Sequence, residues 1–281
     1  MSEFLGKLHE CAVKFPMTDI WMDSCGEEEL DYGLERGIVG ATSNPIIVGN
    51  VIKQEMDVWE PRIKGLIKEM PTATEDEIVW ALIDEVGALR SKKLLPVYEK
   101  FNGKKGRLSI QTNAKFYRST EKMVEQAMHL NSLGKNMMIK MPASAAGIAA
   151  MEEVTYRGAS INATISFTVA QAVAVAEAVE RGLNRRKAEG LPVDTMGPVC
   201  TLMIGRTNLY PRRDRLSILN ALNGAALPLS KRLTEFIRNE AIQRVFCLRL
   251  TETITIGRSL SAAIWRRQSI TAGINALMQA I

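Results

Sequence analysis

From Asp19 to Arg206 the chain alternates short, β-rich apolar runs with longer segments of helical spacing, and this alternation limits its possible folds more than any other feature. The strand candidates are DIWMDS (19–24), GIVGATS (37–43), RLSIQTN (107–113), NMMIKMP (136–142), GASINATISF (158–167) and PVCTLMIGR (198–206). Between them lie GEEELDYGLER, the stretch from Val51 to about Phe101, and segments opening at Ser119, Ala143 and Thr168. These carry apolar residues three and four apart and mostly close on glycine. Strands separated by helices require parallel pairing through crossover helices, in an open sheet or a (β/α)₈ barrel. No GxGxxG or P-loop pattern follows a strand candidate, so a nucleotide-binding sheet lacks its main signature.

Composition narrows the class. The chain has 281 residues, 46% apolar and 24% charged, which suits one large α/β domain or two small ones in a globular enzyme. Glu3, His9 and Glu10 interrupt any signal-like core at the N-terminus, and no apolar run reaches the length of a membrane span. The expectation is a cytoplasmic protein without a membrane partner. Cys11, Cys25, Cys200 and Cys247 are scattered and read as reduced thiols. With His9 and His129 as its two histidines, the chain is poorly supplied for a histidine metal site or catalytic triad.

Polar residues fall at the C-terminal ends of the strand candidates: Asp23, Asn44, Gln111 and Asn113, Lys140, Asn162 and Thr164, then Arg206. In a barrel that end forms the mouth where catalytic groups sit. A lone strand-end Asn or Asp reads first as a helix cap; six strand ends in register favour a shared pocket. Lys140 is the oddity, an ammonium between Ile139 and Met141 in an otherwise apolar run. It could snorkel to water along its stem. Alternatively, an apolar pocket disfavours its charged form, and the neutral amine attacks carbonyls to form a Schiff base. The stretch alone slightly favours snorkelling; the neighbouring strand ends favour the nucleophile.

The strings WMDSCGEEEL, GIVGATSNPIIV, LSIQTNAKFYRS, MIKMPASAAGIAAMEEV, GASINATISFTVAQAVAVAEA and LMIGR together resemble the transaldolase family, from Asp19 to Arg206. The resemblance implies an α/β fold, a (β/α)₈ TIM barrel, and a cofactor-free Schiff-base mechanism. A dihydroxyacetone unit would pass from a ketose phosphate donor to an aldose phosphate acceptor. Matched motif by motif, Lys140 in IKMP would be the Schiff-base lysine and Asp23 in WMDS the acid/base of carbon–carbon cleavage. Asn44 in TSNP and Asn162 in NAT would bind substrate hydroxyls, and Thr164 would hold the catalytic water. Arg206 in IGR would bind the substrate phosphate, for which a planar, permanently charged donor is suited. Gln111 stands where transaldolases usually carry a glutamate, and an amide can only hydrogen-bond the water that a carboxylate would polarise. Fructose-6-phosphate aldolases, close relatives, carry glutamine there, but tyrosine where this chain has Phe167, a transaldolase-like choice. Transfer and simple aldol cleavage both stay open on these residues. Transaldolases as a group form dimers or larger rings, so a homo-oligomer is consistent with the resemblance.

After Arg206 the resemblance stops, and the charge changes with it. From Thr207 to Ile281 there are eleven Arg and Lys, ten of them arginines, against four Asp and Glu. The first 206 residues carry 25 basic and 27 acidic side chains. Read with the third base of each codon joined to the first two of the next, Cys247 to Ile264 can encode Ser-Ala-Ala-Tyr-Arg-Asn-His-Tyr-His-Trp-Ser-Glu-Phe-Ile-Gly-Gly-Asp, which is similar to a transaldolase tail. The expectation is therefore a barrel of six βα units over 1–206, with its last two units missing or replaced, followed by an out-of-frame tail over 207–281. On that reading the product of a disrupted gene could be inactive. The alternative is a divergent, arginine-rich tail that contacts nucleic acid or an acidic partner. The tail arginines are spread out without aromatic interleaving, so no nucleic-acid partner is expected. Met137, Met138 and Met141 read as core filling, the RRK run Arg185–Lys187 as a solvated helix end, and Cys25 as a thiol with no mark of a nucleophile.

Overall fold

Six β-rich runs pair side by side in chain order, all parallel: β1 (Trp21–Met22), β2 (Gly40–Thr42), β3 (Arg107–Gln111), β4 (Met137–Pro142), β5 (Ile161–Ser166) and β6 (Val199–Leu202). The computed structural model describes residues 4–16, 18–167, 169–202, 246–249 and 268–269. Arg206 and most of the arginine-rich tail lie outside these residues. Helices alternate with the strands, so the parallel array is a partial (β/α) barrel, as the alternation predicts. After β6 the pairing changes. The next described strand, β7 (Phe246–Arg249), runs antiparallel to β6, and β8 (Gln268–Ser269) runs antiparallel to β7.

The helices are α1 (Lys7–Lys14), α2 (Glu27–Glu35), α3 (Pro45–Gln54), α4 (Met56–Glu69), α5 (Glu75–Lys100), α6 (Thr120–Ser132), α7 (Ala145–Tyr156) and α8 (Val169–Ala188). Local chemistry sets their starts. Asn44 caps α3 with Pro45 at its first position, and Thr74 and Glu77 form a reciprocal capping box on α5. Ser119 and Ser144 cap α6 and α7 through their hydroxyls. The stretch from Val51 to Phe101 is the end of α3 followed by two further helices, divided at Glu55 and again at the PTAT turn before Glu75. α1 has no counterpart among the predicted elements, because its eight residues carry a stripe of only Leu8, Cys11 and Ala12, too short to establish a helical period.

Strand alternation divides the burial into two layers. Met137, Ile139 and Met141 face outward and are fully buried in the main core beneath the helices. On the other face Trp21, Met138 and Val199 form a small separate cluster, the floor of the barrel interior. The methionines are thus core filling on both faces. Gly106 enters β3 at φ +77°, and its amide donates to the Val39 carbonyl at 2.7 Å. A side chain there would strike the Tyr98 backbone at 2.1 Å, so only glycine fits. The RRK run departs from a solvated helix end at its middle member. Arg186 is buried and donates to the Tyr156 carbonyl at 2.8 Å and to the Pro192 carbonyl at 2.9 Å, satisfying acceptors at the end of α7 and in the loop after α8.

Candidate active site

Parallel register carries the predicted residues to one face. Gln111 of β3 pairs with Lys140 of β4, which pairs with Asn162 of β5. Pro142 pairs with Thr164 one step nearer the mouth. Residues in register on adjacent parallel strands share a face, and neighbouring strands stand about 4.8 Å apart. Lys140, Gln111, Asn162 and Thr164 therefore converge on the interior above the Trp21–Met138–Val199 floor. Asp23 directly follows β1 and is half-buried at the same end.

Lys140 interrupts the burial of β4, where it is half-buried between fully buried neighbours. Its Nζ donates to Thr42 Oγ1 at 3.3 Å and reaches the Ser43 carbonyl at 3.5 Å, both at the exit of β2. These contacts hold the amine across the interior rather than along the outer surface. Snorkelling is thereby disfavoured, since the stem and the head lie on the inward face. Neither Thr42 nor Ser43 stands out in the sequence: a threonine in GATS is as good a strand former as a ligand, and the Ser43 contact uses only its backbone.

Asn162 is held from two sides. Its Nδ2 donates to Ser109 Oγ at 2.9 Å, and its Oδ1 accepts from Thr201 Oγ1 at 2.7 Å. Ser109, Asn162 and Thr201 are 0%, 2% and 5% exposed, so this is a dry strut across β3, β5 and β6. The strut spends one acceptor and one donor of the carboxamide and leaves the second Nδ2 hydrogen for another acceptor. Ser109 and Thr201 are not among the predicted residues; a hydroxyl residue inside a strand carries no signal until the folded barrel brings it within hydrogen-bond distance of Asn162.

Asn44 serves as the cap of α3. Its Oδ1 accepts from the Ile46 and Ile47 amides at 2.9 and 3.0 Å, which leaves Nδ2 as its remaining polar group. Asn113, also at a strand end, caps a 3₁₀ turn through the Lys115 amide at 2.9 Å. Gln111 is half-buried opposite Lys140, and Phe167 is half-buried just after β5. Arg206 lies outside the described residues. Cys25 is buried beside Ser43, at 3.3 Å from its hydroxyl, and burial pushes its thiol up to about 11. A thiol so protonated at neutral pH is inert.

Among the described residues no helix is long and apolar enough to cross a membrane. The family profile described as Transaldolase/Fructose-6-phosphate aldolase matches residues 20–208. The transaldolase of Thermobifida fusca is 28% identical over 204 residues, covering 67% of this chain and 53% of the relative. Transaldolase 2 of Nostoc sp. is 28% identical over 211 residues, covering 72% and 54% respectively. Transaldolase 2 of Streptomyces avermitilis is 29% identical over 207 residues, covering 70% and 55%. This chain spans about half the length of the curated relatives it matches. The match begins at β1 and runs through all six parallel strands, and the chain belongs to the transaldolase/fructose-6-phosphate aldolase family.

Proposed function

We propose that the barrel transfers a dihydroxyacetone unit between sugar phosphates through a Schiff base on Lys140. The observation that carries this reading is Lys140 itself, a half-buried amine turned inward at the mouth end of β4 with Gln111 and Asn162 in register beside it. The neutral amine adds to the ketose carbonyl to give a carbinolamine, which loses water to form the iminium. Asp23 takes the proton of the hydroxyl next to the scissile bond. The carbon–carbon bond then breaks, its electron pair moves into the iminium to form an enamine, and the aldose phosphate leaves. In transfer the enamine attacks an acceptor aldehyde, Asp23 returns the proton, and hydrolysis frees Lys140.

Asn44 Nδ2 and the remaining Asn162 hydrogen are donors suited to substrate hydroxyls, and Thr164 holds the water of the dehydration and hydrolysis steps in this scheme. Arg206 supplies the cationic partner of the substrate phosphate in this scheme. Gln111 favours a second outcome, because fructose-6-phosphate aldolases carry glutamine at this position: the enamine is protonated to the iminium, water adds to it, and dihydroxyacetone leaves as Lys140 is freed, which is aldol cleavage. Incubation with fructose 6-phosphate and borohydride, followed by peptide mass spectrometry, should find the reduced adduct on Lys140. Folded protein left unmodified would overturn the assignment.

A further inference from the structure

Gln171, in the first turn of α8, spends its carboxamide on the backbone of two strand exits. Its Nε2 donates to the Ala143 carbonyl just past β4 at 3.1 Å and to the Ile165 carbonyl in β5 at 3.0 Å. Its Oε1 accepts from the Phe167 amide at 2.9 Å. Ala143 in turn donates its own amide to the Thr164 carbonyl at 2.7 Å, so this residue is tied to β5 both directly and through Gln171.

The backbone held in this way is strained. Ile165 sits at φ +58°, the left-handed region, where a β-branched side chain is a rare outlier. Its side chain is 46% exposed, so burial does not compensate for the strain. The register between β5 and β6 shifts over the same residues, between Ala163 and Ser166. Strain of this kind persists only where surrounding contacts over-determine the conformation. Gln171 supplies three of those contacts from a single side chain.

We propose that Gln171 is a positioning residue for the chemistry at Lys140, holding Ile165 in its left-handed conformation and so fixing Phe167 at the mouth. Thr164 precedes the strained residue directly and shares the inward face with Lys140; Phe167 follows it by two. Without the clamp, Ile165 relaxes to an extended conformation, and the side chains after it, Ser166 and Phe167, change face. Phe167 would then swing away from the mouth end of the barrel. This inference rests on the Schiff-base reading of Lys140.

The test uses the full chain. Gln171→Leu keeps the volume and removes every polar contact; Gln171→Glu keeps an acceptor for the Phe167 amide and loses both donors. Each should slow borohydride trapping of fructose 6-phosphate on Lys140, by about tenfold for Q171L, the rate change that ~1.4 kcal/mol produces. Adding Ile165→Gly to Q171L should restore most of that rate, because glycine adopts the left-handed conformation without strain. A purely structural role for Gln171 would not be rescued by a smaller residue at 165. Wild-type trapping in Q171L, or no recovery in the double variant, would overturn the proposal. Should Q171L fail to fold, Q171E with and without I165G decides it. If the wild-type chain itself is not trapped, the Schiff-base reading fails, and amide hydrogen exchange then judges the clamp separately. Faster exchange at the Phe167 amide in Q171L, which loses its acceptor, supports it, and unchanged exchange refutes it.

Discussion

The Thr201 hydroxyl donates to the Asn162 carboxamide oxygen at 2.7 Å, while the nitrogen of the same carboxamide donates to Ser109 at 2.9 Å. One side chain thus ties three strands together inside the barrel, directly beside Lys140 in the register. Asn162→Ala removes both bonds and leaves two buried hydroxyls without that partner. Each such loss costs about 1–3 kcal/mol. Urea unfolding should therefore show N162A destabilised by about 2–4 kcal/mol, with a loss well under 1 kcal/mol arguing that the hydroxyls find other partners.

Replacing Lys140 should separate folding from chemistry. Met137, Ile139 and Met141 supply the outward burial of β4, so Lys140→Met keeps the strand intact and fills the same volume. Its circular dichroism and unfolding midpoint should match wild type, while borohydride trapping falls to background. Trapping that survives in K140M would place the nucleophile elsewhere.

Gly40 lies in register with Trp21 at the barrel floor, and a Cβ on it would stand 2.7 Å from the indole. Gly40→Ala must push Trp21 out of its place between Met138 and Val199, an overpacking that costs about 1–3 kcal/mol. A changed tryptophan emission together with a lower midpoint is the expected result; an unchanged spectrum would show that the floor tolerates the methyl.

Acid should weaken a second polar cluster, outside the barrel interior. Arg90 is 1% exposed and donates to Glu27 at 2.7 Å and to Glu55, and Lys93 pairs with Glu27 at 2.8 Å. Hydrogen bonds from Lys93 and Arg90 lower the Glu27 carboxyl from 4.5 to about 2. A depressed carboxyl contributes stability that is complete above its unfolded value and is lost as pH falls toward its folded value. The Glu27 contribution should therefore be present at pH 5 and above and decline between about pH 4.5 and pH 2. Glu27→Gln should lower stability at pH 7 and flatten the pH dependence in that window. Parallel curves for E27Q and wild type would remove Glu27 from the acid response.

The tail makes a prediction about nucleic acid rather than protein. We propose that the residues after Arg206 are read out of frame. Sequencing the gene across codons 200–215 and onward should show codons that spell a transaldolase-like tail when read one frame over. Codons that cannot do so would leave 207–281 as a divergent tail in its own right.

Much of the site's location could be read from residue order alone. Strand–helix alternation is a period change that survives without any tertiary information, and it placed all six parallel strands. The end of each strand was equally visible, which is why Asp23, Gln111, Lys140, Asn162 and Thr164 could be named together. The partners of those residues were hidden. Thr42, Ser109 and Thr201 are hydroxyl residues within strands, and only the side-chain contacts across the folded barrel show that they meet Lys140 and Asn162. Gln171 was hidden for the same reason. A glutamine in the first turn of a helix reads as solvated until the exits of β4 and β5 are seen beside it.

The sequence by itself determined the class of fold and the amine within it, because periodicity and a lone lysine in an apolar run are properties of neighbours along the chain. Which way that amine points, and what holds it, was decided by parallel pairing between segments about thirty to a hundred residues apart. Tertiary structure also separated capping from pocket. Asn44 spends its oxygen on α3, whereas Asn162 spends both ends across the barrel. A carboxamide has one acceptor oxygen and one donor nitrogen, and which groups come within about 3 Å of them depends on packing that no local pattern records.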